Sequence, residues 1–280
     1  MSLPERFQFT QSSLQDYVDC PRRFQLRYVL NQPWPAVESE PLIERERLVE
    51  LGRRFHQMAQ RHTVGLTVEQ IALSAQDPDL VRWWRNYCNI PPSDLPATLR
   101  RAEATLSAPL AVSVVSEGAS IGRIAAKYDL LALDPGRRAV IVDWKTERRR
   151  PTRKQLVERM QTRVYRYVLV EAGAALNGGQ PIEPEQITLI YWFAEFPAEP
   201  QVLPYDTAQH AEDAAFLGSL VSEIAGRAEA IWPLTGERRR CHFCVYRSLC
   251  DRGVTAGAGD ESEIELDLDI DITEIQEIAY

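Results

Sequence analysis

The sequence contains no apolar run near the roughly 20 residues that a membrane-spanning helix needs. Its first residues, Met1-Ser-Leu-Pro-Glu-Arg, lack the apolar core of a secretory signal. Both absences lead us to expect a cytoplasmic protein. There is no internal repeat and no long linker. Cysteine is scarce and odd in number: Cys20, Cys88, Cys241, Cys244 and Cys250. Five thiols in a reducing compartment argue against a disulfide framework. Basic residues stop at Arg252, whereas nine Asp and Glu fall between Asp260 and Glu277.

That last asymmetry changes the meaning of the net charge of −8. Removing the nine tail residues from the 40 acidic ones leaves 31 against 32 basic. The body is therefore near neutral with local basic clusters, and the acidity is terminal. Hydrophobic residues make up 45% and charged residues 26% of the 280, the composition of a globular protein. Such a length fits one large domain or two small ones.

Periodicity supplies the elements. A helical stretch follows Ser12 and Ser13 and runs to about Leu30, with a break near Cys20 where Pro21 intervenes. A proline-bearing loop over residues 31–41 leads to a helix from about Leu42 to His62. After Pro96 the character changes to strands: from Ala111, from Ser120, over Tyr128 to Leu133, and from Ala139 to Asp143. Asp134-Pro-Gly-Arg is a turn between the last two. A long helix is expected from about Thr152 to Ala175, a strand from Ile187 to Phe193, and an amphipathic helix from Thr207 to about Ile231. The strict alternation from Glu263 to Ile272 has the pattern of a half-buried strand, with a disordered acidic tail as the alternative.

The segment Ala139-Val-Ile-Val-Asp143-Trp144-Lys145 carries the first chemistry. Residues i and i+2 of a strand share a face, so Asp143 and Lys145 project together. A carboxylate there can hold a hard divalent cation through oxygen, and an ammonium can stabilise charge on a phosphate. Asp129, on the preceding strand, supplies a second carboxylate if the turn joins two antiparallel strands. The i, i+4 pair Gln161 and Tyr165 shares a helix face. Gly52-Arg-Arg-Phe-His56 puts an imidazole on another helix, a normal ligand for Mn²⁺-type sites.

In their order, these residues resemble the RecB-like branch of the PD-(D/E)XK nuclease superfamily. Gly52 to His56, Asp129, Asp143 to Lys145 and Gln161 to Tyr165 match its four marks, although Ala126 stands where relatives often carry Gly. The resemblance spans Cys20 to Cys250. It implies an α/β (α+β) restriction-endonuclease-like core, a central mixed sheet flanked by helices. It implies a metal-dependent DNA nuclease, with Asp129, Asp143 and Lys145 catalytic. His56, Asp129, Asp143 and the Trp144 carbonyl would bind Mg²⁺ or Mn²⁺. Gln161 and Tyr165 would contact the DNA backbone, and Glu103 would approach the site. Single-stranded DNA or DNA ends are the implied substrate.

Cys241-His-Phe-Cys244 and Cys250 place three thiolates within ten residues, which calls for a soft partner. One N-terminal cysteine with three near the C-terminus resembles the iron–sulfur subset of the same superfamily, including CRISPR-adaptation nucleases and AddB-type helicase-nuclease subunits. The resemblance implies a [4Fe-4S] cluster on Cys20, Cys241, Cys244 and Cys250. A structural Zn²⁺ is the alternative, with His242 able to replace one ligand. Basic runs at Arg22-Arg23, Arg148 to Lys154 and Arg238 to Arg240 adjoin these elements and suit phosphate. Trp144, Tyr165 and Phe243 are candidates to stack on bases. No helicase motif is visible, so unwinding would need a helicase partner, and a CRISPR-adaptation partner is the other expectation. An iron–sulfur DNA-binding subunit, inactive alone and serving repair or recombination, remains an alternative. The expected organisation is a helical region at 1–100, a nuclease core at 101–235, the cysteine cluster at 236–254 and an acidic tail at 255–280.

Overall fold

The computed structural model describes residues 3–4, 7–33, 40–114, 118–228, 230–242 and 244–253. The alternating acidic segment and Phe243 lie outside the described residues. The chain begins with a short strand, β1 (Gln8–Phe9), and helix α1 (Gln11–Asp19). The cap of α1 is Thr10, two residues before the expected serines. Thr10 and Ser13 exchange side-chain-to-backbone hydrogen bonds and satisfy two otherwise orphaned N–H groups. The expected break falls at Cys20, which is extended, and Pro21 opens α2 (Pro21–Phe24) where a missing N–H is harmless. One π-helical turn, Gln25–Val29, follows.

Three helices then form one layer: α3 (Glu40–Thr63), α4 (Val68–Ala72) and α5 (Pro78–Asn89). Leu80, Trp83, Trp84 and Tyr87 form the buried stripe of α5, at helical spacing. The sheet comes next, with β2 (Leu99–Val114), β3 (Gly118–Asp134) and β4 (Arg138–Lys145). The expected turn closes β3 onto β4: Arg137 N–H donates to the Asp134 carbonyl at 3.0 Å, and Gly136 takes φ +73°, which only glycine adopts freely.

The expected long helix is two helices, α6 (Arg153–Glu158) and α7 (Met160–Ala172). Arg159 between them is extended at ψ 138°. At the break the Leu156 carbonyl accepts both the Arg159 N–H and the Thr162 hydroxyl, on the first turn of α7. Strands β5 (Ile187–Phe193) and β6 (Gln201–Pro204) complete the sheet. Helix α8 (Thr207–Ala225) stops at Gly226, six residues before Trp232 and earlier than its alanine-rich pattern indicates.

The six-stranded sheet is mixed, in the order β1-β3-β4-β5-β6, with β2 on the other edge of β3. The β1–β3 and β4–β5 pairs are parallel, and the others antiparallel. Helices cover both faces. Leu131, Ile141, Leu189 and Tyr191 pack with Val164 and Val168 of α7 and Leu217 of α8. Leu130, Val140, Val142 and Trp192 pack with Phe55 of α3 and Trp83 of α5. Burial on both faces explains why β4 reads as a continuous apolar run and not as an alternation. Among the described residues, no helix is long and apolar enough to cross a membrane.

One edge of β3 is shared. Leu130 to Asp134 pair with β4, and Arg123 and Ile124 pair with β1. Between these ladders β3 and β4 part, leaving a fork in the sheet.

Candidate active site

The fork is where the sequence motifs meet. The β3–β4 ladder ends at Leu130 and Val142, so Asp129 and Asp143 are the next residues on each strand. A cleft of about 690 Å³ opens there, lined by His56, Asp129, Asp143, Lys145, Gln161 and Tyr165 among others. Gly52 also lines it, one turn before His56 on α3.

Two hydrogen-bonded groups divide the site, the first partly buried and the second buried. In the first, Asp129 Oδ1 is 3.0 Å from His56 Nδ1 and Oδ2 accepts the Trp144 N–H at 2.8 Å. In the second, Gln161 bridges the motif: Lys145 Nζ donates to Gln161 Oε1 and Gln161 Nε2 donates to Asp143 Oδ1, both at 2.8 Å. Gln161 Nε2 also reaches the Tyr165 hydroxyl at 3.2 Å. Lys145 Nζ lies 3.1 Å from Asp143 Oδ2. That contact is an ion pair by distance only, because Oδ2 accepts no hydrogen bond although it is buried.

These environments push the two carboxyls apart. Burial and the neighbouring Asp129 charge raise Asp143 to about 6, against the pull of Lys145 and His56. Asp129 is also shielded, though less than Asp143, and His56 and the Trp144 N–H outweigh burial and hold its carboxyl below the usual range. The His56 imidazole moves the opposite way: burial would depress it, but the Asp129 and Asp143 charges hold it above its ordinary value. Burial also drives the Tyr165 hydroxyl well up, so it is a neutral donor or acceptor.

Glu103 stands opposite Asp129. The β2–β3 register pairs Ala102 with Leu130 and Ala104 with Tyr128 but lapses between them. Glu103 has φ +55°, in the left-handed region, at a cost of order 1–3 kcal/mol for a non-glycine residue. Its carboxylate is 2.6 Å from Lys127 Nζ, a half-exposed pair worth about 0–1 kcal/mol. The pair does not repay the strain. The same distortion shifts the phase of β3: Ala126 and Tyr128 face α7, and so do Leu131 and Leu133. Asp129 thereby turns toward α3 and His56.

Two expected base-stacking roles are corrected. Trp144 is 3% exposed and packs edge-on against Trp192 and Tyr87. Tyr165 is also 3% exposed. Neither ring is free to stack on a base, because both complete the core. Arg148 and Arg149 are exposed, as are Arg153 and Lys154 of α6. Arg150 pairs with Glu199 and Arg240 with Glu237 and Asp19.

The cysteines approach one another across the chain ends. Burial pushes the Cys244 and Cys250 thiols up, and other thiols add to it: Cys20 and Cys250 for the first, Cys20 and Cys241 for the second. Cys88 stands apart, beside Tyr87 in the α5 layer. His242 is exposed. As the side chains stand, no three His, Cys, Asp or Glu among the described residues close on a common ligand point. The residues nonetheless suit the groups that the motifs imply. Asp143 Oδ2 is a buried oxygen without a donor, in reach of a second carboxylate and an imidazole, which suits a hard cation. Four thiols drawn from both chain ends suit a soft one.

A carboxylate-and-lysine site at a fork in a mixed sheet, with helices on both faces, defines a restriction-endonuclease-like α/β fold. The sequence profile of the PD-(D/E)XK nuclease superfamily matches residues 8–251, and the chain belongs to that superfamily. A solved structure described as SSO0001 overlays at TM-score 0.38, with 11% identity over 90% of this chain and 89% of that one. A candidate exonuclease from Eubacterium rectale overlays at 0.49, with 10% identity over 90% of both chains. No curated protein matches the sequence. The assignment rests on the profile.

Proposed function

We propose that the chain is a metal-dependent deoxyribonuclease of the RecB-like branch, acting as an exonuclease on single-stranded DNA or DNA ends. The observation that carries this reading is the convergence of His56, Asp129, Asp143, Lys145 and Gln161 on one cleft. His56, Asp129, Asp143 and the Trp144 carbonyl would hold Mg²⁺ or Mn²⁺. The Trp144 N–H faces Asp129, and a strand residue directs its N–H and C=O to the same edge, which supports the carbonyl's inclusion. When bound, the cation supplies Lewis acidity and neutralises phosphate charge.

The chain's own groups do the rest. The Lys145 ammonium, anchored by Gln161 and Asp143, is a compact donor for the attacking water and for the charge growing on the phosphoryl oxygens. The water oxygen bonds to phosphorus and gives up its proton to solvent, the bridging P–O bond breaks, and the leaving oxygen takes a proton from solvent. Gln161 and Tyr165 hold the backbone near the cut from the cleft floor. A [4Fe-4S] cluster on Cys20, Cys241, Cys244 and Cys250 ties the chain ends together, with Zn²⁺ as the competing occupant. Work with a helicase or CRISPR-adaptation partner belongs to the same reading.

Labelled single-stranded DNA tests it. Wild-type protein with Mn²⁺ or Mg²⁺ is expected to degrade the strand, and Lys145→Ala to lose at least 10²-fold in rate, the scale of removing one oriented donor. Equal rates for the two proteins overturn the mechanism. Binding without cutting favours the second reading, a DNA-binding subunit inactive alone; the closed Asp143–Gln161–Lys145 set of hydrogen bonds is consistent with that state.

A further inference from the structure

The nuclease reading leaves one charged pair at the cleft unused. Lys127 and Glu103 both line it. Lys127 lies two residues before Asp129 on β3, so it shares a face with that aspartate, displaced by about 6.6–6.8 Å along the strand. That displacement is comparable to the step between neighbouring phosphates of an extended nucleic-acid strand. The Lys127 side chain is 42% exposed, so its ammonium is open to a ligand in the cleft.

Two independent observations point to a purpose for it. The first is composition. Of the 32 basic residues only Lys127, Lys145 and Lys154 are lysine, and the other 29 are arginine. Two of the three lysines line this one cleft. Lysine offers a compact point charge with three rotatable donors, whereas arginine offers a broad planar fork. A chain that uses arginine nearly everywhere uses lysine where a small cation must fit beside Asp129. The second is strain. Glu103 is held at φ +55° in mid-strand, where its carboxylate meets Lys127 diagonally across the strands at 2.6 Å. An ion pair this exposed does not offset the strain, so the geometry is not kept for stability.

We infer that Lys127 contacts the phosphate next to the scissile one, and that Glu103 is the positioning residue that aims it. One N–H of the ammonium is spent on Glu103, which leaves two for the phosphate oxygens. The inference rests on the nuclease reading of the same cleft. It adds a second, non-reacting phosphate subsite, which fixes the register of the strand relative to the cut.

The test uses the full chain and single-stranded oligonucleotides. In one arm, binding is measured against salt, with Ca²⁺ replacing Mg²⁺ to hold off cleavage. Each single-strand phosphate contact contributes about 0.7 to the slope of log K against log salt. Lys127→Ala is expected to reduce the slope by about 0.7, and Lys127→Arg to keep it. In the other arm, an uncharged methylphosphonate is placed at each linkage in turn. Wild type is expected to show a several-fold rise in KM at one linkage beside the cut, and Lys127→Ala to be indifferent there. Glu103→Gly is expected to raise Tm, because the left-handed strain is relieved, and to spread the penalty over several linkages.

An unchanged salt slope and an unchanged methylphosphonate penalty in Lys127→Ala overturn the inference while leaving the nuclease reading intact. A wild type that neither binds nor cuts DNA overturns both. A Glu103→Gly variant with lower Tm and a penalty still confined to one linkage makes Glu103 structural and removes its aiming role.

Discussion

Asp129 and Asp143 are one residue type in neighbouring positions, and the chain makes them chemically unlike. Asp129 has two strong donors and stays ionised, whereas Asp143 has a buried oxygen with none and rises to about 6. The direction of the pH effect follows. A carboxyl raised from about 3.9 adds stability to the folded state below pH 4 and loses it as pH climbs to about 6. His56, also raised, adds stability below about 6.5 and loses it as pH rises further. Asp129, lowered, works the other way and matters only in acid. Metal-free protein should therefore lose Tm between pH 5 and pH 7.5 at this site, and added Mn²⁺ should raise Tm more at pH 7.5 than at pH 5. Thermal unfolding at both pH values, with and without Mn²⁺, checks this, and an equal Mn²⁺ shift at both contradicts it. Asp143→Asn should stabilise the metal-free protein at pH 7.5 by about 1–3 kcal/mol and remove the Mn²⁺ response.

The elements show why part of this site was legible in sequence. Asp143 and Lys145 end a strand whose period places them on one face, and Gln161 and Tyr165 are one helical turn apart, so local geometry suffices for each pair. The meeting of the pairs depends on the fork between β3 and β4, a tertiary fact. The expected strands from Ser120 and over Tyr128 to Leu133 are one strand, β3, whose inward phase changes at Asp129, opposite the left-handed Glu103. A change of phase within an apolar stretch is the signal that could have marked Glu103. β1 and β6, of two and four residues, are too short to show a period. The buried ion triad was likewise invisible, since its members are distant in sequence. Asp213 of α8 is 2.7 Å from Arg163 and 3.1 Å from Arg166 of α7, and it accepts the Tyr205 hydroxyl at 3.1 Å. Asp213→Asn leaves a buried guanidinium unpaired and should destabilise by roughly 3–5 kcal/mol, read as a lower urea midpoint. A change under 1 kcal/mol would show that the clamp between α7 and α8 is solvated.

At the scale of the molecule, the N-terminal and C-terminal segments hold each other before any cluster is considered. The Phe24 ring stacks on Trp232 with centroids 5.7 Å apart. Gln25 accepts the Trp232 N–H at 2.9 Å and donates to the Ala230 carbonyl at 3.0 Å. The Tyr246 hydroxyl donates to the Gln32 carbonyl at 3.1 Å. A Cys20→Ser variant should therefore still unfold cooperatively, at a lower Tm, while losing bound metal. Protein purified without oxygen should be brown and carry iron if the thiols hold a cluster. A colourless preparation with one zinc per chain replaces that assignment. The acidic stretch from Glu263 to Ile272 lies outside the described residues.

The Phe24–Trp232 contact also sets a schedule for synthesis. Trp232 leaves the ribosome 208 positions after Phe24, which at ~5–20 residues per second is roughly ten to forty seconds. Throughout that interval the nascent chain carries Tyr17 and Phe24 without the indole that finally packs against both. The same aromatic surface that closes the finished protein is, during translation, a waiting face for chaperones, and chains truncated before Trp232 should be their clients.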